Sequence, residues 1–359
     1  MNPTIPGFDM ASFHPEIMQA WLYTNTTGGM EKNLHLDTSA RTPPPPKGNE
    51  ILVKVISAAL NPADYKLPEL GIPFRMLIGT PATPGMDFCG RVVSTGPLAT
   101  HLKEDTLVYG CSSRPVQFGS AAEYIVISSD SVSIVPDGVS VDHAAAMGVA
   151  GQTAYQSLVG YVKAGNKVLI NGGSGGCGVF AIQIAKAMGC HVTTTCSTRN
   201  MELCLRLGAD AVIDYTAEED LVAKLQQLGV AFDHIVDHVG LPDNLYYQCH
   251  LFSKDEATFV QVGASSMLTF VARLGWPSFL GGGRRKYVTL MPTIDQKRLA
   301  QLGEWVADGT ITMQLDSVFE FCDAVKAYER LRSGRSRGKI VLHVSDPSAR
   351  NMEPFGIGL

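Results

Sequence analysis

The sequence predicts an α/β protein whose centre is a doubly wound parallel sheet, joined to a second, irregular domain built mainly of β-strands. Three features of the chain point there. Gly173-Ser174-Gly175-Gly176-Cys177-Gly178 lies between a short apolar run, Val168-Leu169-Ile170, and a helical one, Ala181-Ile182-Gln183-Ile184-Ala185. From about residue 141, β-branched runs alternate with helical segments, the pattern of βαβ units. Before that point, strand-like runs are separated by proline and glycine turns.

Taken in order, strands are expected at 51–55, 91–93 and 123–126, with the four prolines at 43–46 marking a loop because none can donate to a ladder. Residues 141–158 read as an interrupted helix. Strands then recur at 167–170, 191–196, 211–214, 234–237, 258–262 and 287–291, with helices between them. Helices near 297–308 and 322–333 precede a last strand at 339–342, which is placed back on the first domain. The expected division is therefore 1–140, 141–295 and 296–359, the outer pieces forming one domain around an inserted one.

The glycine string is expected to bind a dinucleotide. Gly173 permits the tight turn, Gly175 lets backbone N–H groups meet a pyrophosphate, and Gly178 lets helix and strand pack closely, with Ser174, Gly176 and Cys177 lining the same turn. About twenty residues further on, where an NAD site places an acid on the ribose, stand Ser197-Thr198-Arg199-Asn200. Hydroxyls and a guanidinium suit a 2′-phosphate, so NADPH is the expected cofactor. The alternative is that Ser197 and Asn200 cap the helix at 201–207 while Arg199 is solvated.

Length and composition fit. The 359 residues suffice for two domains, and 45% apolar residues for substantial cores. A formal charge of -5 gives no general attraction for nucleic acid. Eight scattered cysteines without CxxC pairs, and an N-terminus lacking a signal-peptide pattern, point to a reduced cytoplasmic setting. No window is apolar enough to span a bilayer, so no membrane role is expected.

The motifs Asn61-Pro62-Ala63-Asp64-Tyr65-Lys66, Gly85-Met86-Asp87-Phe88-Cys89-Gly90, Gly151-Gln152-Thr153-Ala154, Asn171 through Gly178, Cys196 through Asn200, Leu207-Gly208-Ala209-Asp210 and Arg337-Gly338-Lys339-Ile340-Val341-Leu342 occur in one order over nearly the whole chain. In these the chain resembles the medium-chain dehydrogenase/reductase superfamily, and within it the zinc-free quinone oxidoreductase and trans-acting enoyl reductase branch. The resemblance implies a GroES-like β domain, a Rossmann domain and an active site in the cleft between them. Zinc-dependent relatives carry Gly-His-Glu where Gly85-Met86-Asp87 stands, and methionine is a poor zinc ligand. The four cysteines of a structural zinc lobe are missing too, with only Cys89 and Cys111 in that region, so no metal is expected. Without a Lewis acid, conjugate reduction of an α,β-unsaturated carbonyl by NADPH is favoured, since a few donors can stabilise an enolate. Quinone reduction, or an NADPH-binding partner of a synthase without turnover, are the alternatives.

By the same resemblance, Tyr65 and Lys66 are the candidate proton and hydrogen-bond donors, both protonated at neutral pH. A packed tyrosine and a solvated lysine are the competing readings. Asn61, Lys66, Thr153, Tyr215, Gly263 and Lys339 are candidate cofactor contacts, against roles in turn shaping, capping, core or surface. The run Gly281-Gly282-Gly283-Arg284-Arg285-Lys286 could attract an acidic carrier protein of a polyketide synthase or be a solvated loop. His234 and His238 have metal-pair spacing but flank a strand end, so metal binding is not expected there. Phe74, Met76, Met267, Trp276 and Phe279 are candidates for the pocket wall. The expected substrate is a small enone or a carrier-bound enoyl group.

Overall fold

The computed structural model describes residues 15–263, 267–276 and 281–345. A two-stranded antiparallel ribbon, β1 (Ile17–Leu22) and β2 (His35–Arg41), precedes the long strand β3 (Glu50–Leu60). The apolar run of β3 is buried apart from Lys54, because β4 (Asp87–Thr95), β6 (Tyr124–Ser128) and β15 (Lys339–His343) all pair with it. Between β3 and β4 lie two short helices, α1 (Pro62–Lys66) and α2 (Ile72–Ile78). α1 starts where it does because Asn61 and Asp64 cap each other reciprocally and Pro62 fills the first turn.

β5 (Leu107–Cys111), β7 (Val132–Ile134) and β14 (Leu315–Glu320) complete a seven-stranded sheet of order β14-β15-β3-β4-β5-β7, with β6 on β3. Thus the last two strands of the described chain return to the first sheet. β14 was not expected from the sequence. Its residues Leu-Asp-Ser-Val-Phe-Glu are half-buried at an edge and show no clean apolar alternation.

The helical stretch at 141–158 is broken at Met147 into α3 (Val141–Ala146) and α4 (Gly148–Leu158). Then follow β8 (Lys167–Asn171), α5 (Gly178–Ala187), β9 (His191–Cys196), α6 (Met201–Arg206), β10 (Ala211–Asp214), α7 (Leu221–Gln227), β11 (Phe232–Asp237), α8 (Asn244–Gln248), β12 (Ser253–Gln261), α9 (Met267–Gly275) and β13 (Lys286–Thr289). These six strands form a wholly parallel sheet of order β10-β9-β8-β11-β12-β13, the doubly wound arrangement expected. β12 begins five residues earlier than the sequence suggested, and β13 ends two residues earlier. α10 (Gln296–Ala307) packs Leu299 and Leu302 into the core shared by α4, α5 and β8, and α11 (Ala324–Arg332) leads into β15.

Candidate active site

The order of the parallel sheet reverses between β8 and β11, and ligands of such sheets bind outside the strand ends there. The strand tips are fixed by side chains. Asn171 donates to Asp237 Oδ1 at 2.8 Å, and Thr195 donates to Asn171 Oδ1 at 2.6 Å. The glycine turn grows from this bracket. Its left-handed residue is Gly172, with φ +89°, not Gly173 as the motif suggested. Gly173 lacks a side chain because a Cβ would strike the Thr194 hydroxyl, and Gly178 because a Cβ would strike the Gly172 carbonyl. A Cβ on Gly175 would meet nothing nearer than the Gly172 carbonyl oxygen at 3.5 Å, leaving its outer side open. Gly175, Gly176 and Cys177 are half-buried at the start of α5, which has no side-chain cap, so its positive end is free to take a pyrophosphate.

Past β9, the four polar residues separate into different tasks. Neither Ser197 nor Asn200 makes a side-chain cap. Asn200 is buried and donates to Ser174 Oγ at 2.9 Å, tying this loop to the glycine turn. The Thr198 hydroxyl is held by Asp214, whose carboxyl is kept below its ordinary range by Thr198 and Thr216. Arg199 is exposed and donates to the Arg335 carbonyl oxygen at 2.9 Å. Tyr215, half exposed, follows β10 on the same side, with its N–H bonded to the Cys196 carbonyl. Sequence reasoning missed Arg335 and Arg337. Both are exposed on the loop between α11 and β15, whose Gly338 N–H donates to the Ser174 carbonyl at 3.0 Å. The run Arg335-Ser336-Arg337 was the available signal.

The loop continues into Lys339, which is 2% exposed. Its ammonium donates to Asn61 Oδ1 at 2.7 Å, the Leu60 carbonyl at 3.0 Å and Asp87 Oδ2 at 3.1 Å. Asp87 Oδ1 in turn accepts the Val149 N–H at 2.8 Å. The alternative reading of Lys339 as a surface lysine is therefore wrong; it is a buried tie between α1, β4 and α4. Thr153, buried in the middle of α4, gives its hydroxyl to the Val149 carbonyl and caps nothing. Gly263 is required by its neighbour, since a Cβ there would strike the His238 carbonyl oxygen.

On α1 the two proposed donors lie in different surroundings. Tyr65 is 8% exposed, packed with Tyr23, Met30 and Tyr328, and the Arg332 guanidinium lies 4.2 Å from its ring centre. Arg332 is held over the ring by Glu31 and Glu69. Burial raises the Tyr65 phenol above its ordinary value. Lys66 is exposed.

Among the described residues, no three His, Cys, Asp or Glu side chains gather as a ligand set. Met86 is buried, and the Asp87 carboxylate is taken by Lys339 and Val149. Phe74, Met76 and Trp276 are exposed, while the Met267 side chain and Phe279 lie outside the described residues. In the glycine-rich basic run, Arg285 is fixed by the His250 and Ser253 carbonyls, and Arg284 and Lys286 are exposed beside the edge strand β13.

Two family models match the chain: an alcohol dehydrogenase GroES-like domain over residues 47–137, and a zinc-binding dehydrogenase over residues 207–342. The chain is 43% identical over 356 residues to the trans-enoyl reductase pgmF of Aspergillus terreus, covering 94% of this chain and 99% of that one. It is 33% identical over 342 residues to a 2-methylene-furan-3-one reductase of Solanum lycopersicum, covering 92% and 80%. Among solved structures, the quinone oxidoreductase from Coxiella burnetii matches with a TM-score of 0.81 at 30% identity, over 91% of this chain and 99% of that one.

Proposed function

We propose, because the chain belongs to the medium-chain dehydrogenase/reductase superfamily of oxidoreductases, that it reduces the C=C bond of an α,β-unsaturated carbonyl with NADPH and without zinc. The observation that carries this is the continuous polar tie from the adenosine-side loop through Ser174 and Gly338 to Lys339 and Asn61, with no metal-ligand set beside it among the described residues. NADPH, when bound, supplies the hydride. The N-terminus of α5 with Gly173, Ser174, Gly175, Gly176, Cys177 and Gly178 would hold the pyrophosphate. Ser197, Arg199, Tyr215, Arg335 and Arg337 would hold the 2′-phosphate end, with Thr198 and Asn200 fixing the loop shape.

Lys339, fully engaged inside the protein, fixes Asn61 and the start of α1 rather than reaching the coenzyme by itself. Lys66 is then the side chain free to donate to the carbonyl oxygen as charge develops there, and Tyr65 supports α1 from within the core. Thr153 and Gly263 shape the wall behind the nicotinamide. A catalytic zinc does not fit these residues, because Met86 offers a weak ligand and the Asp87 carboxylate is neutralised by Lys339.

The relative at 43% identity is named a trans-enoyl reductase, and the substrate in the tomato protein's name is itself an enone. The substrate proposed here is accordingly a free enone or an enoyl thioester carried by a polyketide synthase, in the cytoplasm. No helix among the described residues is long and apolar enough to cross a membrane. Quinone reduction is the second reading, favoured by the match to the Coxiella protein. Panels of enones, enoyl pantetheine thioesters and quinones, followed by NADPH absorbance and product mass, separate the two. A gain of two hydrogens across the double bond is expected; turnover of quinones alone would overturn the enone reading.

A further inference from the structure

We propose that the acceptor carries a deoxygenated hydrocarbon tail beyond its double bond and that the outer faces of α2 and α9 bind that tail, an inference that rests on the enone reading just given. Both helices are built in reverse of an ordinary surface helix, which turns apolar side chains in and charge out. In α2, Ile72, Phe74, Met76 and Leu77 are exposed, Met76 to 77%. The one cation of that helix, Arg75, is half-buried and donates to Thr26 Oγ1 at 2.9 Å. In α9 the one cation is Arg273, which is buried and donates to Gln261 Oε1 and Asp243 Oδ1, both at 2.7 Å, with its guanidinium over the rings of Tyr246 and Tyr247. Val271 and Leu274 are exposed on the same helix, Val271 to 68%. An inward arginine thus anchors each helix and leaves an apolar strip uncovered, since Ile72 and Met76, like Val271 and Leu274, are neighbours one turn apart. Single exposed apolar residues are ordinary, but strips of this kind mark a binding surface.

Their position names the occupant. α2 adjoins α1, which ends at Lys66, the side chain set against the carbonyl oxygen. α9 opens shortly past Gly263, at the carboxyl ends of the parallel strands, where ligands of such sheets lie. Exposed Val239 and Leu241 follow β11 at the same end, and Val239 stands against Gly172 of the coenzyme turn. An acyl chain whose carbonyl meets Lys66 and whose β carbon meets the nicotinamide therefore runs out over apolar side chains. Among the described residues, every exposed position of α2 and α9 is apolar. A methylene chain gains by leaving water there, whereas hydroxyl or keto oxygens on the tail would lose water without finding a partner. Such a tail exists only where the oxygens of earlier positions have been removed, so the step that supplies this substrate is the dehydration of a 3-hydroxyacyl group on an already reduced chain. An anionic lipid surface is a poorer fit, because it calls for outward cations and both arginines point in.

Steady-state kinetics of the full-length enzyme with NADPH and three trans-2-enoyl pantetheine thioesters test this: a four-carbon chain, a ten-carbon chain, and the ten-carbon chain bearing a hydroxyl on every second carbon past the double bond. The plain ten-carbon chain is expected to exceed the four-carbon chain at least roughly tenfold in kcat/KM, and the hydroxylated chain to lose most of that gain. Val271→Ser/Leu274→Ser and Leu77→Ser should each shrink the ten-to-four-carbon ratio about threefold or more, a readout within one protein from which any change in folded fraction cancels. Equal kcat/KM for the three thioesters overturns the proposal, and so does a ratio that both variants leave at its wild-type value. A face that instead joins two copies or lies on lipid would show as a dimer, or as binding to phosphatidylcholine vesicles, that Val271→Ser/Leu274→Ser abolishes without any tail preference, and this too overturns it. Reduction of none of the three thioesters while quinones turn over would bring down the enone reading itself, a result distinct from a failure of the tail site alone.

Discussion

At the scale of single residues, the first turn of α1 shows how burial divides chemistry between neighbours. Asp64 is fully buried, one oxygen accepting the Asn61 N–H and the other without a partner among the described residues, in the same core as the unpartnered hydroxyls of Tyr23 and Tyr328. Burial lifts its pKa from an ordinary 3.8 to about 8, so the folded protein holds a proton that the unfolded chain has already released. The contribution to stability is therefore complete below about pH 4 and drains away as the pH climbs towards 8. Asp64→Asn keeps the acceptor for Asn61 and removes the titration, so its advantage over the wild type in urea unfolding should widen between pH 5 and pH 8. A constant difference would mean that the carboxyl ionises normally. One residue further on, Tyr65→Phe keeps both the ring and its Arg332 contact, and turnover close to wild type is expected. Lys66→Met should lower kcat by about 10² with NADPH affinity little changed, as for loss of a donor to developing negative charge. The opposite ranking of the two variants in steady-state kinetics would return the phenol to the chemistry.

At the scale of elements, the β8–turn–α5–β9 unit was legible in the sequence because its signals are local: an apolar run, a glycine string and a helical period within about thirty residues. What each glycine does was only partly legible, since Gly172 carries the left-handed backbone and Gly173 answers to Thr194 on the next strand. This division has a measurable consequence. Gly178→Ala places a methyl group on the Gly172 carbonyl and should lower the melting temperature whether or not coenzyme is present. Gly175→Ala meets only an ordinary contact within the protein, so its stability should fall by no more than about 1 kcal/mol, while the added methyl occupies the open side of the turn and weakens NADPH. Calorimetry of the two variants that showed equal melting losses would refute the separation of roles. β14 and the support of Tyr65 by Arg332 stayed hidden for different reasons: β14 is a half-buried edge strand without clean apolar alternation, and the Arg332 contact joins residues far apart in the chain, which leave no periodic trace in either segment.

At the scale of the whole molecule, the chain leaves the first sheet, builds the parallel sheet, and returns through α11 and β15 beside β3. The returning loop is where the two parts meet over the candidate cofactor path: Gly338 bonds Ser174, and the Arg335 carbonyl accepts from Arg199, which lies 136 residues earlier. Arg199 thus meets the backbone of the loop that carries Arg335 and Arg337, a local excess of cationic residues that the net charge of -5 conceals. If that excess meets a 2′-phosphate, removing the two arginines of the returning loop should act on NADPH and spare NADH, which has no such group. Arg335→Ala/Arg337→Ala is expected to raise the NADPH dissociation constant at least tenfold and the NADH constant by less than about twofold, since charge-assisted hydrogen bonds contribute about 1.5–3 kcal/mol where they form. The selectivity between the coenzymes should also shrink in the wild type as salt rises from 0.05 to about 0.5 M, because exposed charges are screened over a Debye length of a few ångströms at that strength. Equal losses for the two coenzymes in the double variant would mean that the loop only braces the glycine turn through Gly338, and that phosphate selectivity, if present, resides in Arg199 alone.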